Sequence, residues 1–481
     1  MNFMKITSSF IGIFTFLFLS CGSSKNDVTV IETTVTRSSD LTRKVIDFTE
    51  RKEKNEALTI RLDTTARFQT MDGFGAAITG STCFNLLKMK SENRMKFLRE
   101  TFSDQDGFGF SYIRISIGCS DFSLSEYTCW DDRKAGFSLT KEETDYVIPI
   151  LKEILAINPN VKIIGSPWTC PRWMKVNNLI DMQPFESWTD GELNPAFYND
   201  YGNYFIQWIQ AFAAEGINIY AITPQNEPLN RGNSASLFMG WQQQRDFVNS
   251  SLAPKIKAAG LDVKVYLFDH NYNYDNIPAQ NDYPLKIYES GIDDEIVVGA
   301  AYHNYGGSLS ELADIHNKRP DKELIFSETS IGTWNNGRDL STRLLEDMEE
   351  VALGTVNNWC KAVVVWNLML DTERGPNRDG GCQTCYGAVD IDRSEYKTIT
   401  RNSHYYIIAH LSSVVKPGAI RIGTNDIQDK NIVSSAFKNK DGSFALVLLN
   451  KSANSKDIEI NDGTHSFYYT IPEKAVASFQ W

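Results

Sequence analysis

Basic residues are too few for a nucleic-acid-binding surface: 48 Lys and Arg stand against 60 Asp and Glu, for a net charge of −12. Polyphosphate recognition needs clustered cations, and no basic stripe runs along the chain, so nucleic acid is not expected as a partner. Beyond the first 21 residues no apolar run approaches the about 20 residues that a bilayer-spanning helix takes. No internal repeat or low-complexity tract is present. Nor does a glycine-rich phosphate loop follow the first apolar strand-like run, which makes a doubly wound nucleotide-binding sheet the lesser reading of the fold.

What remains is ordinary globular material, 42% hydrophobic and 22% charged. At about 100–200 residues per domain, 481 residues allow two or three domains, or one large barrel plus an accessory module. The N-terminus stands apart. Lys5 precedes the apolar run Phe10 to Leu19, which is too short to span a bilayer but suits the core of a signal peptide. The run ends in Leu19-Ser20-Cys21-Gly22, which resembles a bacterial lipoprotein cleavage site, with Phe18 where Leu is commoner. Residues 1–21 are therefore expected to be a lipoprotein signal peptide with Cys21 as the lipidation site, a plain secretory signal being the alternative. Residues 22–45 read as a flexible tether. The mature chain would be exported and lipid-anchored to a bacterial outer membrane, with no other membrane contact.

Eight cysteines less Cys21 leave seven, an odd number that keeps at least one thiol free. Cys382-Gln-Thr-Cys385 lies in a glycine-rich stretch and reads as a small disulfide ring. A zinc site is the alternative, but neither a second CxxC nor a nearby Cys/His pair offers the remaining ligands.

From about residue 74 to 410 one unit recurs: a short β-branched run, a polar loop, then a helix-like stretch. The runs are FGAAI (74–78), YIRISIG (112–118), VKIIGS (161–166), IYAITP (219–224), VKVYLF (263–268), IVVGAAY (296–302), ELIFSE (323–328) and AVVVWNL (362–368). Eight apolar strands alternating with helices predict an α/β fold, a (β/α)8 TIM barrel whose active site lies at the C-terminal ends of the strands. After residue 411 short runs separated by Asp-Gly turns predict antiparallel strands, and ALTIRLDT (57–64) looks like part of the same module. The expected division is therefore 46–70 as N-terminal strands of a β-sandwich, 71–410 as the barrel, and 411–481 as the rest of the sandwich.

Polar residues just past each strand would then face one pocket. Strand four ends in Thr223-Pro224-Gln225-Asn226-Glu227-Pro228 and strand seven in Phe326-Ser327-Glu328-Thr329-Ser330, which puts two carboxylates across the barrel mouth from each other. Glycoside hydrolysis needs such a pair, one protonated to meet the leaving oxygen and one ionised to attack the anomeric carbon. Unlike environments are expected to separate their pKa values accordingly.

Further stretches resemble glycoside hydrolase family 30, which includes the glucosylceramidases: Tyr112-Ile-Arg114-Ile, Ser120-Asp121-Phe122-Ser123, Gly165-Ser-Pro167-Trp168 through Lys175, Thr223 to Pro228, and Trp366-Asn367-Leu368. The resemblance spans residues 57 to 481. It implies a retaining mechanism with Glu227 as acid/base and Glu328 as nucleophile. It also implies that Asn226 bonds the sugar 2-OH, that Arg114 keeps the nucleophile ionised, and that Tyr305 donates its hydroxyl to Glu328. Asp121, Trp168 and Trp366 would line the −1 sugar, the indoles with their faces, and His303 is a possible contact.

The Gly380-Gly381-Cys382-x-x-Cys385 loop departs from the mammalian glucosylceramidase pattern and looks more like the microbial β-1,6-glucanase branch. That branch implies an endo-β-1,6-glucanase acting on a β-glucan polysaccharide or oligosaccharide, as a monomer. An exo-acting β-glucosidase or β-xylosidase of the same family is the alternative, and a surface glycan-binding protein the non-enzymatic one. No cofactor or metal is implied, since two carboxylates and a water complete the chemistry.

Overall fold

The computed structural model describes residues 27–48, 57–272 and 277–481. Cys21 and the leader before it lie outside those residues. Among the described residues no helix is long and apolar enough to cross a membrane.

Eight parallel strands form the barrel: Gly73–Ala76, Tyr112–Ser116, Lys162–Ser166, Ala221–Ile222, Lys264–Asn271, Val297–His303, Glu323–Glu328 and Cys360–Val365. They are called strands one to eight below. The eighth pairs with the first, and a bridge from Ala77 to Arg114 closes the ring between the first and second. All eight coincide with the runs read from the sequence. They are legible because a parallel strand is buried on both faces and so reads as a near-continuous apolar run. Tyr112, Ile164, Ala221, Tyr266, Ala301, Ile325, Ala362 and Val364 form a separate small cluster among themselves, one or two from each of seven strands. The strands approach closely. A Cβ on Gly75 would lie 1.8 Å from the Tyr112 carbonyl oxygen, so strand one tolerates no side chain there.

The helix Tyr198–Ala214 shows how the connecting elements are set. Its apolar face, including Tyr201, Phe205, Trp208 and Phe212, is buried. Gly216, at φ +80°, ends it, with its N–H bonded to Ala213 and that of Ile217 to Phe212. Only glycine takes that left-handed turn without strain, which is why a helix stop is readable at that residue.

The second module is a nine-stranded sheet in the order Thr42–Asp47, Asp27–Thr34, Ala475–Gln480, Phe444–Asn450, Ile432–Lys438, Ile420–Thr424, Leu58–Thr70, Lys456–Asn461, Ser466–Ile471. Both chain ends contribute to it. The tether expected over residues 22–45 is corrected here. Asp27–Thr34 is a strand held between the chain's last strand and Thr42–Asp47. Thr and Glu dominate its composition, yet Val28 and Val30 alternate into the sandwich core. A period of two is what a strand needs, whatever the polarity of the residues between.

Alternation also joins the modules. Leu446 and Leu448 point into the sandwich core, whereas Ala445, Val447 and Leu449 point to the barrel. There they meet the fully buried helix Ser403–Val414. On that helix His410 bridges Ser478 and Thr33, at 2.9 Å each, so one buried imidazole ties the last strand to the first.

Gly75→Ala is expected to lower stability by about 1–3 kcal/mol through overpacking against backbone that cannot move aside. Thermal unfolding beside wild type checks it, and an unchanged midpoint would contradict the close approach.

Candidate active site

The site is assembled around a cation without water. Arg114, on strand two, is 0% exposed. Its Nη1 donates to Glu328 Oε2 at 2.5 Å, its Nη2 to Asp269 Oδ2 at 2.8 Å and to Asn226 Oδ1 at 2.6 Å, and its Nε to Ser166 Oγ at 3.2 Å. Strands three, four, five and seven thus converge on one guanidinium. Trp168 and Trp366 lie against it, with ring centroids 4.8 and 5.4 Å from its carbon. These are the indoles expected to line the −1 sugar; each is 2% exposed and they stack on one another, 4.9 Å between centroids. A desolvated guanidinium gains from π faces, and that contact occupies the rings.

Asp269, at the end of strand five, is absent from the residues that the sequence singles out. It accepts from Arg114, from Thr223 Oγ1 (2.7 Å), from Ser327 Oγ (2.6 Å) and, at 3.0 Å, from His303 Nε2. Burial would raise its pKa, but Arg114 and His303 outweigh burial and hold it well below the carboxylate range. A carboxyl so fixed keeps the imidazole of His303 oriented with Nδ1 toward the catalytic pair. Nδ1 lies 3.2 Å from Glu227 Oε1 and 3.9 Å from Glu328 Oε1.

Glu328 also accepts from the Tyr305 hydroxyl at 3.1 Å, and that hydroxyl reaches Ser330 Oγ at 3.0 Å. Glu227 has two further donors that sequence reasoning overlooked, the amides of Asn230 (2.8 Å) and Asn233 (2.7 Å), both on Oε2. Their only signal is position, three and six residues past the glutamate in one polar loop. Glu227 itself sits at φ +44°, a left-handed conformation a non-glycine residue adopts at some cost in strain.

The two carboxylates do titrate apart, but in the order opposite to the one expected. Burial alone would raise Glu227, yet the His303 hydrogen bond, the charges of His270 and His303, and then the Asn230 hydrogen bond bring it to about 2. Glu328 is raised, by burial first and by the charges of Glu227 and Asp269, against the pull of His303 and Arg114. The missing proton is on His303. Burial opposes its charge, but Glu328, Asp269 and Glu227 surround it and lift it to about 9. His270 falls to about 4, because burial and the charge of His303 outweigh the pull of Glu227 and Asp269.

Glu227, His303 and Glu328 each bring a ligand-type atom within 4.8 Å of the others, a spacing that a metal ion would also fit. The chemistry does not suit one. The anions around His303 favour its protonated form, which offers no lone pair to a metal, and Arg114 already supplies a countercharge to Glu328.

Asp121, in the loop after strand two, has a buried Oδ1 with no protein partner. Burial, then the charges of Glu328 and Glu227, push it up to about 8. Its backbone packs against the Cys382–Cys385 loop, since a Cβ on Gly381 would lie 2.2 Å from the Asp121 carbonyl oxygen. The disulfide expected there is formed. Among the described residues the other five cysteines, Cys83, Cys119, Cys129, Cys170 and Cys360, are free and buried. Arg378 of the same loop donates to the backbone oxygens of Ser120 (2.7 Å) and Ser234 (2.8 Å) and pairs with Glu126. It therefore ties together the loops that follow strands two, four and eight.

Residues 71–415 match the glycosyl hydrolase family 30 TIM-barrel domain and residues 418–479 that family's β-sandwich domain. The chain belongs to glycosyl hydrolase family 30. It is a glycoside hydrolase, with the barrel and sandwich that the family resemblance implied. It is similar to a solved structure described as the endo-β1,6-glucanase BT3312, at 64% identity and a TM-score of 0.93 over 95% of this chain and 99% of that one. The endo-1,6-β-D-glucanase BGN16.3 of Trichoderma harzianum is 32% identical over 83% of this chain and 80% of its own length. The lysosomal acid glucosylceramidase of Mus musculus is 26% identical over 88% and 83%.

The raised pKa of His303 fixes a sign for stability. A folded-state value of about 9 means that its contribution is complete below the unfolded value of about 6.5 and is lost as pH rises through 9. At full strength it is on the order of 3 kcal/mol. Wild type should therefore melt at progressively lower temperature from about pH 6.5 to 9. His303→Gln should start lower and stay flat across that window, and parallel curves would contradict the assignment.

Proposed function

We propose that this chain is a retaining, endo-acting hydrolase of β-1,6-glucan in which Glu328 is the nucleophile and Glu227 the acid/base. Support for the retaining mechanism comes from spacing. One oxygen of each carboxylate lies within 4.8 Å of the other, in keeping with the about 5–5.5 Å carboxyl separation of retaining enzymes rather than the about 6.5–9.5 Å that leaves room for a water. The single observation that carries the linkage is the 64% identity, over nearly the whole of both chains, to a protein described as an endo-β1,6-glucanase. The braced loop of Cys382–Cys385, packed on the Asp121 segment, supplies the wall for a chain that turns sharply at C6.

The charge arrangement suits double displacement. Before reaction the buried set reads His303 positive, Glu227 and Glu328 negative. Glu328 attacks the anomeric carbon and becomes a neutral ester, while the leaving oxygen takes one proton from the His303–Glu227 pair through Glu227. His303 is then neutral and Glu227 still negative, so the net charge of the set is unchanged. Loss of the Glu328 charge removes one of the anions that held the His303 proton, so bond cleavage and proton release favour each other. In the second step Glu227 takes a proton from water as the water oxygen bonds to the anomeric carbon and the ester bond to Glu328 breaks; the proton returns to His303, and Glu328 is again a carboxylate. The sugar meets Asn226 at its 2-OH and Asp121 at its other hydroxyls.

Export with a lipid on Cys21 belongs to the same reading, since a polymer too large to import must be cut outside the cell.

Glu328→Gln is expected to lower kcat on an aryl β-glucoside by at least about 10³-fold, and near-normal turnover would sink the nucleophile assignment. Glu227→Ala should slow hydrolysis of oligosaccharides far more than that of activated aryl glycosides, because only a poor leaving group needs the proton; equal losses on both would count against its acid role. On pustulan (β-1,6-glucan) the enzyme should release a ladder of gentio-oligosaccharides, with laminarin and xylan left intact. Glucose or xylose as sole early product would instead support the exo-acting alternative.

A further inference from the structure

Six large apolar side chains are exposed among the described residues: Val45, Leu179, Ile180, Met182, Tyr305 and Trp334. Only two are aromatic, and both stand at the catalytic end of the barrel, on the loops after strands six and seven. Every other described Phe, Tyr and Trp is buried or partly buried. Tyr305 is 43% exposed even though its hydroxyl is engaged with Glu328. Trp334 is 53% exposed, and no catalytic contact accounts for it.

The indole is nevertheless held. A Cβ on Gly332 would lie 1.9 Å from Cζ3 of Trp334 and 2.5 Å from the Thr384 carbonyl oxygen, so the ring lies back on bare backbone that only a glycine leaves free. Beneath it Ile331–Gly332 pairs antiparallel with Cys385–Tyr386. Thr333 donates to the Thr384 oxygen at 3.0 Å, and the Asn335 side chain accepts from the Gly332 N–H at 3.0 Å. The Cys382–Cys385 disulfide closes the partner strand. The support is thus stapled on one side and hydrogen-bonded on the other. Trp334 is also near the chemistry: it stands four residues past Ser330, which shares the Tyr305 hydroxyl with Glu328, so the chain limits their separation to about 14 Å.

A rigid ring with one side against the protein and the rest in solvent, at the rim of a glycosidase cleft, suits the apolar face of a pyranose. We propose that Trp334, seated on the disulfide-braced strand pair, is the stacking platform of a distal sugar subsite that takes a glucosyl unit of the glucan as it leaves the cleft past Tyr305. The proposal rests on the glucanase reading above and adds to it a contact made only by substrates long enough to reach the rim.

The test is kcat/KM on β-1,6-linked gluco-oligosaccharides of increasing length, for wild type, Trp334→Ala and Trp334→Tyr. Wild type should improve with length. Trp334→Ala should lose about tenfold on the longer members, a typical effect of truncating a binding tryptophan, and less than twofold on the shortest one cleaved. Trp334→Tyr should keep most of the gain, and thermal midpoints should agree. Equal kcat/KM for wild type and Trp334→Ala at every length would overturn the platform, as would an equal loss at every length, which is what a structural role gives. If wild type leaves the β-1,6 series intact, the linkage reading falls instead. The same comparison on whichever of the laminari-, cello- or xylo-oligosaccharides it cleaves then decides the platform by the same criteria.

Discussion

A guanidinium taken wholly out of water must be given everything that water gave it, and the mouth of this barrel is arranged to do so. Arg114 is met by two carboxylates, an amide oxygen and a hydroxyl, with two indoles alongside. Removing one partner of a buried ion pair costs about 3–5 kcal/mol, because the remaining charge is stranded. The ends of strands two, three, four, five and seven are therefore bound to a common geometry, and the same bonds that close the barrel mouth set the positions of the catalytic carboxylates. Stability and site geometry cannot be varied independently here.

The network also explains where strain is stored. Glu227, Phe268, Asp269 and Asn367 all have positive φ: Glu227 and Asn367 lie past the C-terminal ends of strands four and eight, and Phe268 and Asp269 in the last half of strand five. Such backbone persists only where surrounding contacts over-determine it. At Asp269 four donors converge, and at Glu227 three. Trp168 and Trp366, lying against the guanidinium, also support the charges.

Legibility in the sequence divides along physical lines. The eight barrel strands are legible because burial on both faces writes an apolar run, and the two glutamates because each stands at or shortly past the end of such a run. The strand Asp27–Thr34 is not, since five of its eight residues are polar and one of its two partners lies at the far end of the chain. The order of the two glutamate pKa values is illegible for a different reason. It depends on where one proton rests among His303, Glu227 and Glu328, and on two amides three and six residues along a loop. None of that has a period or a motif. Asp269 shows the same limit, because a carboxyl beside Phe268 carries no mark of the four donors that fold around it.

The charged set at the barrel mouth and the loop that borders it are held by different contacts. The buried set of Arg114, Asp269, His303 and the two glutamates responds only to the anomeric carbon and the oxygen leaving it, so it would serve any β-glycoside that reached it. Beside it the loop from Gly375 to Gly387 is held to the loops after strands two and four by Arg378 and by the close packing of Gly381 on Asp121. Arg378 also reaches the charge inside, since it pulls the Asp121 carboxyl down against burial and the two catalytic glutamates, so the loop sets shape and charge together.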